Sequence, residues 1–325
     1  MDPFRLILSN NLEHFEGINT ELERALSSRV GLIEDIGSHS LLGHGKRLRP
    51  LLFVLSCQLC GYEGEDSYLL STIFELIHTA SLLHDDVLDN ADVRRKKPSA
   101  NHLWGNQAAV LEGDFLCLKS SSIALGTNNL TFLKRVIEAT TQMTEGQIME
   151  LTYTHNWNTS PDEYMEIITY KTAVLLSVAC ACGAILSGAG PEVEDSLSRF
   201  GLNLGIAFQL IDDLLDYTSS QEEFGKPVGK DLREGKITLP LIYTVKGLQR
   251  SERERLENLF RNGHAGQEDY DDLIALVISK GGIEKIRNRA KSYVDKAALS
   301  LNFFPDSAPK KNLLELNQYI IERTY

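Results

Sequence analysis

Two acidic segments with the same pattern contain the residues of this chain that are best suited to chemistry. Each segment reads Asp-Asp-X-X-Asp; the first cassette contains Asp85, Asp86 and Asp89, and the second cassette contains Asp212, Asp213 and Asp216. On a helix, residues four positions apart lie on one face, where two like charges repel each other. Because the flanking residues are apolar and include no basic residue at helical pairing distance, a divalent metal ion is the natural compensating charge.

Mg²⁺ suits these cassettes because it prefers oxygen ligands and is usually held by one or two carboxylates, water and a substrate phosphate. We therefore predict that the six aspartates of the cassettes are candidate Mg²⁺ ligands and that the two cassettes grip one diphosphate from both sides. A single acidic run of this kind is often only a solvated helix face. Its duplication inside two apolar helical stretches favours the metal site.

Three basic clusters accompany the cassettes. Lys46–Arg49 follows a glycine and precedes an apolar helix, where backbone amides and cationic side chains can hold a phosphate. Arg94–Lys97 follows the first cassette, and a loop with Lys226, Lys230 and Lys236 follows the second. The alternative for each cluster alone is a solvated loop. Their placement beside the metal candidates instead indicates two diphosphate sites.

The composition of the chain excludes several classes of function. Lys and Arg number 33 against 45 Asp and Glu, a net charge of −12, which argues against nucleic-acid binding because that activity requires a clustered basic surface. Five cysteines without a secreted disulfide pattern indicate a reducing cytoplasm. The N-terminus has no signal-peptide pattern, and the apolar run Ala173–Ala189 is short and rich in small residues. We therefore expect a cytoplasmic protein without a transmembrane segment.

Apolar residues recur at helical spacing through almost the whole chain, so we predict an all-α fold. The expected helices lie near 20–38, 50–60, 66–91, 106–126, 130–155, 161–188, 192–219, 237–249, 251–262, 267–280, 282–301 and 310–323. The segment Ser160–Glu163 offers an N-cap, a first-turn proline and a capping-box acid. Long helices that are apolar on most sides pack as a bundle, and no linker divides the chain. We predict a single domain over 1–325, a large helical bundle around a central cavity.

Motifs spread over the whole chain carry a resemblance to a known family. They are Gly45-Lys46-Arg47-Leu48-Arg49-Pro50, the segment from His78 to Asp89, Arg94-Arg95, Gly113-Asp114-Phe115, Lys171-Thr172 and the segment from Phe208 to Asp216. With these motifs in this order, the chain resembles the trans-isoprenyl (polyprenyl) diphosphate synthases. The resemblance implies a homodimer of the isoprenoid synthase fold, with two aspartate-rich motifs facing each other across a deep cavity. One departure is the segment from Glu145 to Glu150, where long-chain relatives often have Glu after the glycine and a later Gln.

The resemblance also implies roles for individual residues. Isopentenyl diphosphate would be held by Lys46, Arg49, His78 and Arg95, and an allylic diphosphate, farnesyl or geranylgeranyl, by Arg94, Lys171, Lys226 and Lys236. Asp85, Asp89 and Asp212 would be the principal ligands of two or three Mg²⁺ ions, and Thr172 and Gln209 would lie near the developing allylic cation. Asp85, Asp89, Asp212, Lys171, Thr172 and Gln209 are thus the predicted catalytic set.

Product length depends on the residues one helical turn before the first cassette. Ala80 and Ser81 lie roughly 6 to 7.5 Å down the helix axis from Asp85, and both are small. In the family a bulky aromatic residue there plugs the cavity and yields short products. We therefore predict a long product of about 35 to 45 carbons, with octaprenyl diphosphate as the best candidate. The alternative is that the two small residues only allow close helix packing.

Three other functions stay open from the residues alone. A short-chain farnesyl or geranylgeranyl diphosphate synthase would share every motif. A class I terpene cyclase would share the fold and the metal-assisted ionisation, but its second motif is normally degenerate and it does not need the Lys46–Arg49 cluster. A helical scaffold or an inactive partner subunit would not need two intact cassettes.

Overall fold

The structure of the chain is a computed structural model that describes residues 3–42, 45–94, 96–218, 228–261 and 265–323. The α-helices are α1 Pro3–Asn10, α2 Leu12–Ala25, α3 Gly31–Leu41, α4 Leu48–Leu59, α5 Ser67–Leu88, α6 Ala100–Trp104, α7 Asn106–Gly126, α8 Leu130–Tyr153, α9 Pro161–Ile168, α10 Val174–Leu186, α11 Pro191–Thr218, α12 Lys230–Arg233, α13 Leu239–Lys246, α14 Arg250–Arg261, α15 Gln267–Ser279, α16 Gly282–Ser300 and α17 Ala308–Glu322. The π-helical turn Thr169–Ala173 joins α9 to α10. A 3₁₀ turn, Leu301–Phe303, follows α16.

The strands in the described part of the chain are β1 Val93–Arg94 and β2 Lys97–Pro98. They form one antiparallel hairpin, with Val93 opposite Pro98. This hairpin directly follows the first cassette. The prediction of an all-α fold is confirmed.

The chain divides into two compact units. The first consists of Met1–Thr141, Leu175–Gly201 and Ser300–Leu316, and the second of Gln142–Val174, Leu202–Leu299 and Asn317–Tyr325. The first cassette belongs to the first unit and the second cassette to the second unit. The single domain over 1–325 stays a prediction.

In the first unit, α5 packs against α2, α4 and α7. Its sequence requires this burial, because Ile73, Phe74, Leu76 and Ala80 are apolar on several sides of the helix and each has 0% exposure. The ring of Phe53 on α4 lies 5.2 Å from that of Phe74. Burial of each Ile, Leu or Phe side chain contributes roughly 1.5–3 kcal/mol. The packing fixes the helix whose last turn carries the first cassette.

In the second unit, α9 begins at the predicted capping box. Ser160 Oγ accepts a hydrogen bond from the Glu163 amide (3.2 Å), and Glu163 Oε2 accepts one from the Ser160 amide (2.7 Å). The two bonds satisfy amides that have no partner within the first helical turn. From this fixed start, α9 packs against α13, and α13 packs against α15.

The predicted helix near 20–38 is wrong, because the structure has two helices, α2 and α3, separated by a non-helical turn. Ser28 is the physical reason. Its amide donates to Glu34 Oε1 (3.0 Å), and its hydroxyl accepts from the Val30 amide (3.2 Å). Such short-range side-chain bonds compete with helical bonds. The predicted helix near 161–188 is interrupted by the π-helical turn.

One helical stretch, Pro161–Leu186, is long and apolar enough to cross a membrane. However, 78% of its most apolar window is buried inside the protein. Cys180, Cys182 and Ala184 in α10 each have 0% exposure. The stretch is therefore packed as an interior helix, as the sequence predicts for Ala173–Ala189.

Candidate active site

The first cassette lies at the C-terminal end of α5. Asp85 and Asp86 are in the last turn, and Asp89 caps the helix with its amide bonded to the Asp85 carbonyl (2.8 Å). The carboxyl groups of Asp85 and Asp89 lie on one helix face and are partly exposed, whereas the side chain of Asp86 is only 4% exposed. Arg94 Nε donates to both oxygens of Asp86, at 2.7 and 2.8 Å. Asp86 thus fixes the hairpin that follows the cassette.

α7 approaches α5 closely beside the first cassette. At Gly113, part of the predicted Gly-Asp-Phe motif, an added Cβ would lie 2.3 Å from His84 Nε2. A larger residue would therefore displace the imidazole of His84. Asp114, the residue after Gly113, places Oδ1 3.5 Å from His84 Nε2. The motif therefore supports the helix end that carries the first cassette.

The second cassette lies at the C-terminal end of α11, and its three aspartates have different surroundings. Asp212 is 44% exposed, whereas Asp213 and Asp216 are buried. The two oxygens of Asp216 accept hydrogen bonds from the amides of Lys230 (3.1 Å) and Asp231 (3.2 Å). Asp216 therefore holds the start of α12 against α11.

Asp213 is bonded on both of its oxygens. Tyr164 donates its hydroxyl proton to Oδ2, and Gln209 Nε2 donates to Oδ1 (2.7 Å). Gln209 Oε1 in turn accepts a hydrogen bond from the Thr172 hydroxyl (3.0 Å). Burial raises the pKa of Asp213 well above its usual range, and the neighbouring carboxylate of Asp231 raises it further. Burial also raises the pKa of Tyr164.

Asp212 receives its charge partner from the residue that directly follows the C-terminal helix α17. Arg323 Nη2 donates to Asp212 Oδ1 (3.1 Å) and to the carbonyl of Phe208 (2.9 Å). The guanidinium lies 4.0 Å from the centre of the Phe208 ring, and the Arg323 side chain is 4% exposed. Arg94 and Arg323 thus pair with one aspartate in each cassette. These two arginines, which come from outside the cassette helices, add positive charge to the cassettes, and the metal ligands stay a prediction.

Two of the lysines predicted to hold the allylic diphosphate are ion-paired inside the second unit. Lys171 Nζ lies 2.5 Å from Glu150 Oε2, and Lys236 Nζ lies 2.8 Å from Glu234 Oε2. Gly146 makes the first pair possible, because an added Cβ there would lie 2.4 Å from the backbone nitrogen of Lys171. α8 therefore comes close enough to the π-helical turn for its carboxylate to reach the lysine.

The basic cluster before α4 has one buried member and two that are more accessible. Arg47 is 4% exposed and donates to Glu75 Oε1 (2.9 Å), to Asn19 and to the carbonyl of Leu41. Lys46 and Arg49 are half-buried, and Lys46 Nζ lies 5.6 Å from the centre of the Phe4 ring. His78, on α5, is also half-buried. Arg95 and Lys226 lie outside the described residues.

The carboxyl groups of the two cassettes suit a hard divalent cation. Both outer aspartates of the first cassette and the first aspartate of the second are partly exposed. Within the described residues, no group of three or more His, Cys, Asp or Glu side chains forms a ready-made metal site. Mg²⁺ does not require one, because one or two carboxylates, water and a substrate phosphate commonly complete its shell. The residues therefore fit Mg²⁺ that binds together with a diphosphate.

The roles of Glu150, Tyr164 and Arg323 were not predicted from the sequence. Tyr164 had a signal, because it precedes Lys171 by seven residues, two helical turns on the same face. Glu150 had one too, since it lies in the segment that departs from the family pattern. Arg323 had none: it is separated from Asp212 by 111 positions and only the fold joins them.

The family model described as polyprenyl synthetase matches residues 30–277. The chain belongs to the polyprenyl synthetase family. The octaprenyl diphosphate synthase of Escherichia coli is 37% identical to it over 307 residues, which is 94% of this chain and 95% of the relative. The all-trans-nonaprenyl-diphosphate synthase (geranyl-diphosphate specific) of Rhodobacter capsulatus is 35% identical over 318 residues, 98% of this chain and 97% of the relative.

A solved structure agrees with this family membership. The polyprenyl synthase from Caulobacter crescentus, complexed with calcium and isoprenyl diphosphate, matches with a TM-score of 0.94 at 34% identity. The match covers 99% of this chain and 98% of that chain. The predicted family, the all-α isoprenoid synthase fold and the transferase class of this polyprenyl synthetase are confirmed.

Proposed function

We propose that this polyprenyl synthetase condenses isopentenyl diphosphate head to tail with an allylic diphosphate and makes a long-chain all-trans polyprenyl diphosphate. The observation that carries the proposal is the intact pair of cassettes in a chain whose relatives over at least 94% of its length are named octaprenyl and nonaprenyl diphosphate synthases. Octaprenyl diphosphate is the expected product, within a range of about 35 to 45 carbons.

Cleavage of the allylic C–O bond leaves negative charge on the departing diphosphate, so fixed cations beside it lower the barrier. Arg94, Lys171 and Lys236 are the cations we assign to it, together with Lys226. The first three are each paired with a carboxylate of their own unit. This pairing restricts their rotamers in advance and so reduces the conformational entropy that they lose when the diphosphate binds.

Mg²⁺ belongs to the same proposal, in two or three ions for each site. When bound, it would supply additional positive charge to the leaving diphosphate. Asp85, Asp89 and Asp212 would hold it, because their carboxyl groups are partly exposed. Asp86, buried beneath Asp85 and bonded to Arg94, would orient the end of α5.

The second substrate, isopentenyl diphosphate, is assigned to Lys46, Arg49, His78 and Arg95. Held beside the allylic carbon, its double bond attacks the cation with the advantage of fixed proximity. A C–C bond forms, a proton leaves, and the released diphosphate is the expected proton acceptor. The product is an allylic diphosphate that is longer by five carbons and can react again.

We assign product length to Ala80 and Ser81, which precede Asp85 by about one helical turn. Ser81 is half-buried on the face that carries Asp85, and its hydroxyl donates to the carbonyl of His78 (2.8 Å). A hydroxyl whose proton is bonded to its own helix can be covered by a prenyl chain without losing that hydrogen bond. The small size of both residues supports a long product over the farnesyl or geranylgeranyl alternative.

An exposed apolar stripe on α7 supports the proposal of a homodimer. Leu111, Leu118 and Leu125 are 66%, 71% and 60% exposed and recur at intervals of seven residues, so they share one helix face. Leu130 at the start of α8 is 78% exposed. A second copy of the chain is the occupant that we assign, because a helical stripe of leucines packs well against its own equivalent.

We propose a cytoplasmic location and one functional domain over 1–325. Cys57, Cys60, Cys117, Cys180 and Cys182 are all free thiols. Burial raises the pKa of Cys60 and of Cys117 to about 11. Thiols with such raised pKa values are protonated and unreactive, which suits a reducing compartment.

Substitution of the outer aspartates tests the proposal. Asp85→Ala and Asp212→Ala should each lower turnover by about 100-fold or more, because each removes a charge that acts on the leaving group. Helical circular dichroism should be unchanged. Asp92→Ala is the matched control, since Asp92 lies three residues after Asp89 but is 82% exposed. Near-normal turnover in either cassette variant contradicts the assignment.

A further inference from the structure

Four side chains in the second unit form one continuous row of hydrogen bonds. Tyr164 on α9 donates to Asp213 Oδ2, and Gln209 Nε2 donates to Asp213 Oδ1 at 2.7 Å. Thr172, in the π-helical turn, donates to Gln209 Oε1 at 3.0 Å. Asp213 is 3% exposed and Tyr164 4% exposed, so water does not compete for the inner bonds of the row. The row joins three elements and ends at two residues of the predicted catalytic set.

Thr172 is bonded differently from several other helical threonines in the described part of the chain. Thr140, Thr152 and Thr169 each donate their hydroxyl proton to the backbone carbonyl four residues earlier. Thr172 instead donates to Gln209 across to α11. The π-helical turn Thr169–Ala173 contains this exception, and single π turns inside helices are frequent at functional sites.

The direction of donation is fixed for each hydrogen bond of the row, and Asp213 determines it. We call this direction the polarity of the row. Tyr164 and Asp213 Oδ2 share one proton. Whether the tyrosine oxygen or Oδ2 carries this proton, Oδ1 can only accept a hydrogen bond. Oδ1 therefore selects the amide nitrogen of Gln209, and the amide oxygen must face Thr172. The hydroxyl proton of Thr172 is then used, and only its oxygen lone pairs remain for another neighbour. An electron-rich oxygen stabilises a positive carbon, whereas a hydroxyl proton in its place repels it.

We propose that Tyr164 and Asp213 are positioning residues that fix the amide orientation of Gln209, so that Thr172 presents its oxygen rather than its proton to the allylic cation. The proposal rests on the proposed function and deepens it. It gives Asp213 a role as a hydrogen-bond acceptor, in which its oxygen matters and its charge does not. This role differs from that of Asp212, its neighbour in the same cassette.

A matched pair of isosteric variants separates the two roles. In Asp213→Asn, the side-chain oxygen can still accept from Gln209 while the new amide donates to the Tyr164 oxygen, so the polarity is kept. We expect Asp213→Asn to keep at least about tenfold more kcat than Asp213→Leu, which has no acceptor oxygen, and to bind Mg²⁺ more tightly than Asp212→Asn in calorimetry with a non-hydrolysable diphosphate. Asp212→Asn should lose about 100-fold in kcat and bind Mg²⁺ more weakly. If Asp213→Asn is as inactive as Asp212→Asn and binds Mg²⁺ as weakly, the proposal is overturned.

Tyr164→Phe tests the other end of the row. It removes one of the two bonds that orient Asp213, so Gln209 and Thr172 lose part of their fixed orientation. We expect kcat to fall about 10-fold with KM for both substrates unchanged, since a hydrogen bond to a carboxylate corresponds to roughly a tenfold effect or more. A normal kcat, or a change confined to KM, contradicts the positioning role. Circular dichroism confirms that the variant is folded.

A measurement without substrate tests the row independently of the proposed function. Tyr164→Phe, Asp213→Ala and the double variant are unfolded by urea in the absence of metal. If the row exists, the double variant loses clearly less stability than the sum of the two single variants, because both remove the same bond. Strictly additive losses overturn the row. The losses in the single and double variants can be non-additive while the wild type does not elongate a prenyl chain. In that case the proposed function is wrong and the row of hydrogen bonds is confirmed.

Discussion

At the scale of single residues, burial assigns different roles to aspartates that are identical in the sequence. Asp86 and Asp216 are both buried and bonded to the protein, one to an arginine and the other to two backbone amides. Asp85 and Asp89 keep exposed carboxyl surface. The identity of a cassette could be predicted from its spacing, but the role of each member could not. The deciding partners are contributed by residues outside the cassette helix.

Glu112 on α7 is a buried acid with an expected pH signature. Its side chain is 2% exposed, and neither carboxyl oxygen has a hydrogen-bond partner among the described residues. Burial raises its pKa from 4.5 to about 7. Between these two pH values the unfolded chain is ionised while the folded chain still holds the proton, so the free energy of unfolding falls as the pH rises.

Glu112→Gln should remove this dependence. Relative to Glu112→Gln, the free energy of unfolding of the wild type should decrease as the pH rises. This decrease should be about zero below pH 4.5 and about 3 kcal/mol above pH 7. Urea unfolding between pH 4 and 8 measures it, with the exposed Glu23→Gln as control. A difference between wild type and Glu112→Gln that does not change with pH contradicts the assignment.

Ser81 is the residue whose size we expect to limit the product. Ser81→Phe should shift the main product to about 15 to 20 carbons, because the new ring stands roughly 6 Å below Asp85 on the same helix face. Ala80→Phe should shorten it too, but at a loss of stability, since Ala80 has 0% exposure. Chromatography of the products measures the length. Leu69→Phe, at the exposed start of α5, is the control; an unchanged product from Ser81→Phe contradicts the assignment.

At the scale of elements, the sequence predicted what depends on local signals. The capping box at Ser160 and the helical character of α5 and α11 follow from residues within a few turns of each other. The break between α2 and α3 and the π-helical turn were missed. The first depends on a serine that bonds its own backbone neighbours, and the second on packing against α11, which apolar periodicity does not record.

The anchoring of α17 to α11 is an element-scale feature that can be measured. Arg323→Met keeps the apolar stem but removes the charge that faces Asp212. We expect the free energy of unfolding to fall by about 1–2 kcal/mol, less than for a fully buried pair, because Asp212 is 44% exposed and partly screened by water. Arg250→Met is the control, since that arginine is 92% exposed beside Glu254 and its loss should change the stability much less. Equal losses in the two variants contradict the anchor.

At the scale of the whole molecule, the family and fold class could be predicted because their motifs span the chain from Lys46 to Asp216. The surface on α7 that we assign to a second copy of the chain could not be predicted from the sequence. Leu111, Leu118 and Leu125 read in the sequence as ordinary core residues of an apolar helix, and only the structure reveals that they are exposed. The sequence contains the seven-residue spacing of the leucines, but it does not indicate which helix face the fold leaves exposed.

The exposed stripe leads to a prediction about assembly. Leu118→Glu places a charge in the middle of the stripe and should weaken the dimer by about 100-fold or more, because a central apolar contact is replaced by a charge that needs water. Sedimentation velocity over a range of protein concentrations measures the change. Ile278→Glu, on α15 and 48% exposed, is the matched control. A wild-type monomer, or an unaltered dimer of Leu118→Glu, contradicts the assigned surface.

The central claim is that this chain lengthens an allylic diphosphate with isopentenyl units and Mg²⁺. The most direct measurement incubates the pure full chain with farnesyl diphosphate, labelled isopentenyl diphosphate and Mg²⁺, and separates the dephosphorylated products by chromatography. We expect a linear ladder of products that ends at about 35 to 45 carbons and disappears when the metal is chelated. A cyclised hydrocarbon without incorporated label indicates a terpene cyclase, and unchanged substrates indicate a non-catalytic subunit; either result contradicts the claim.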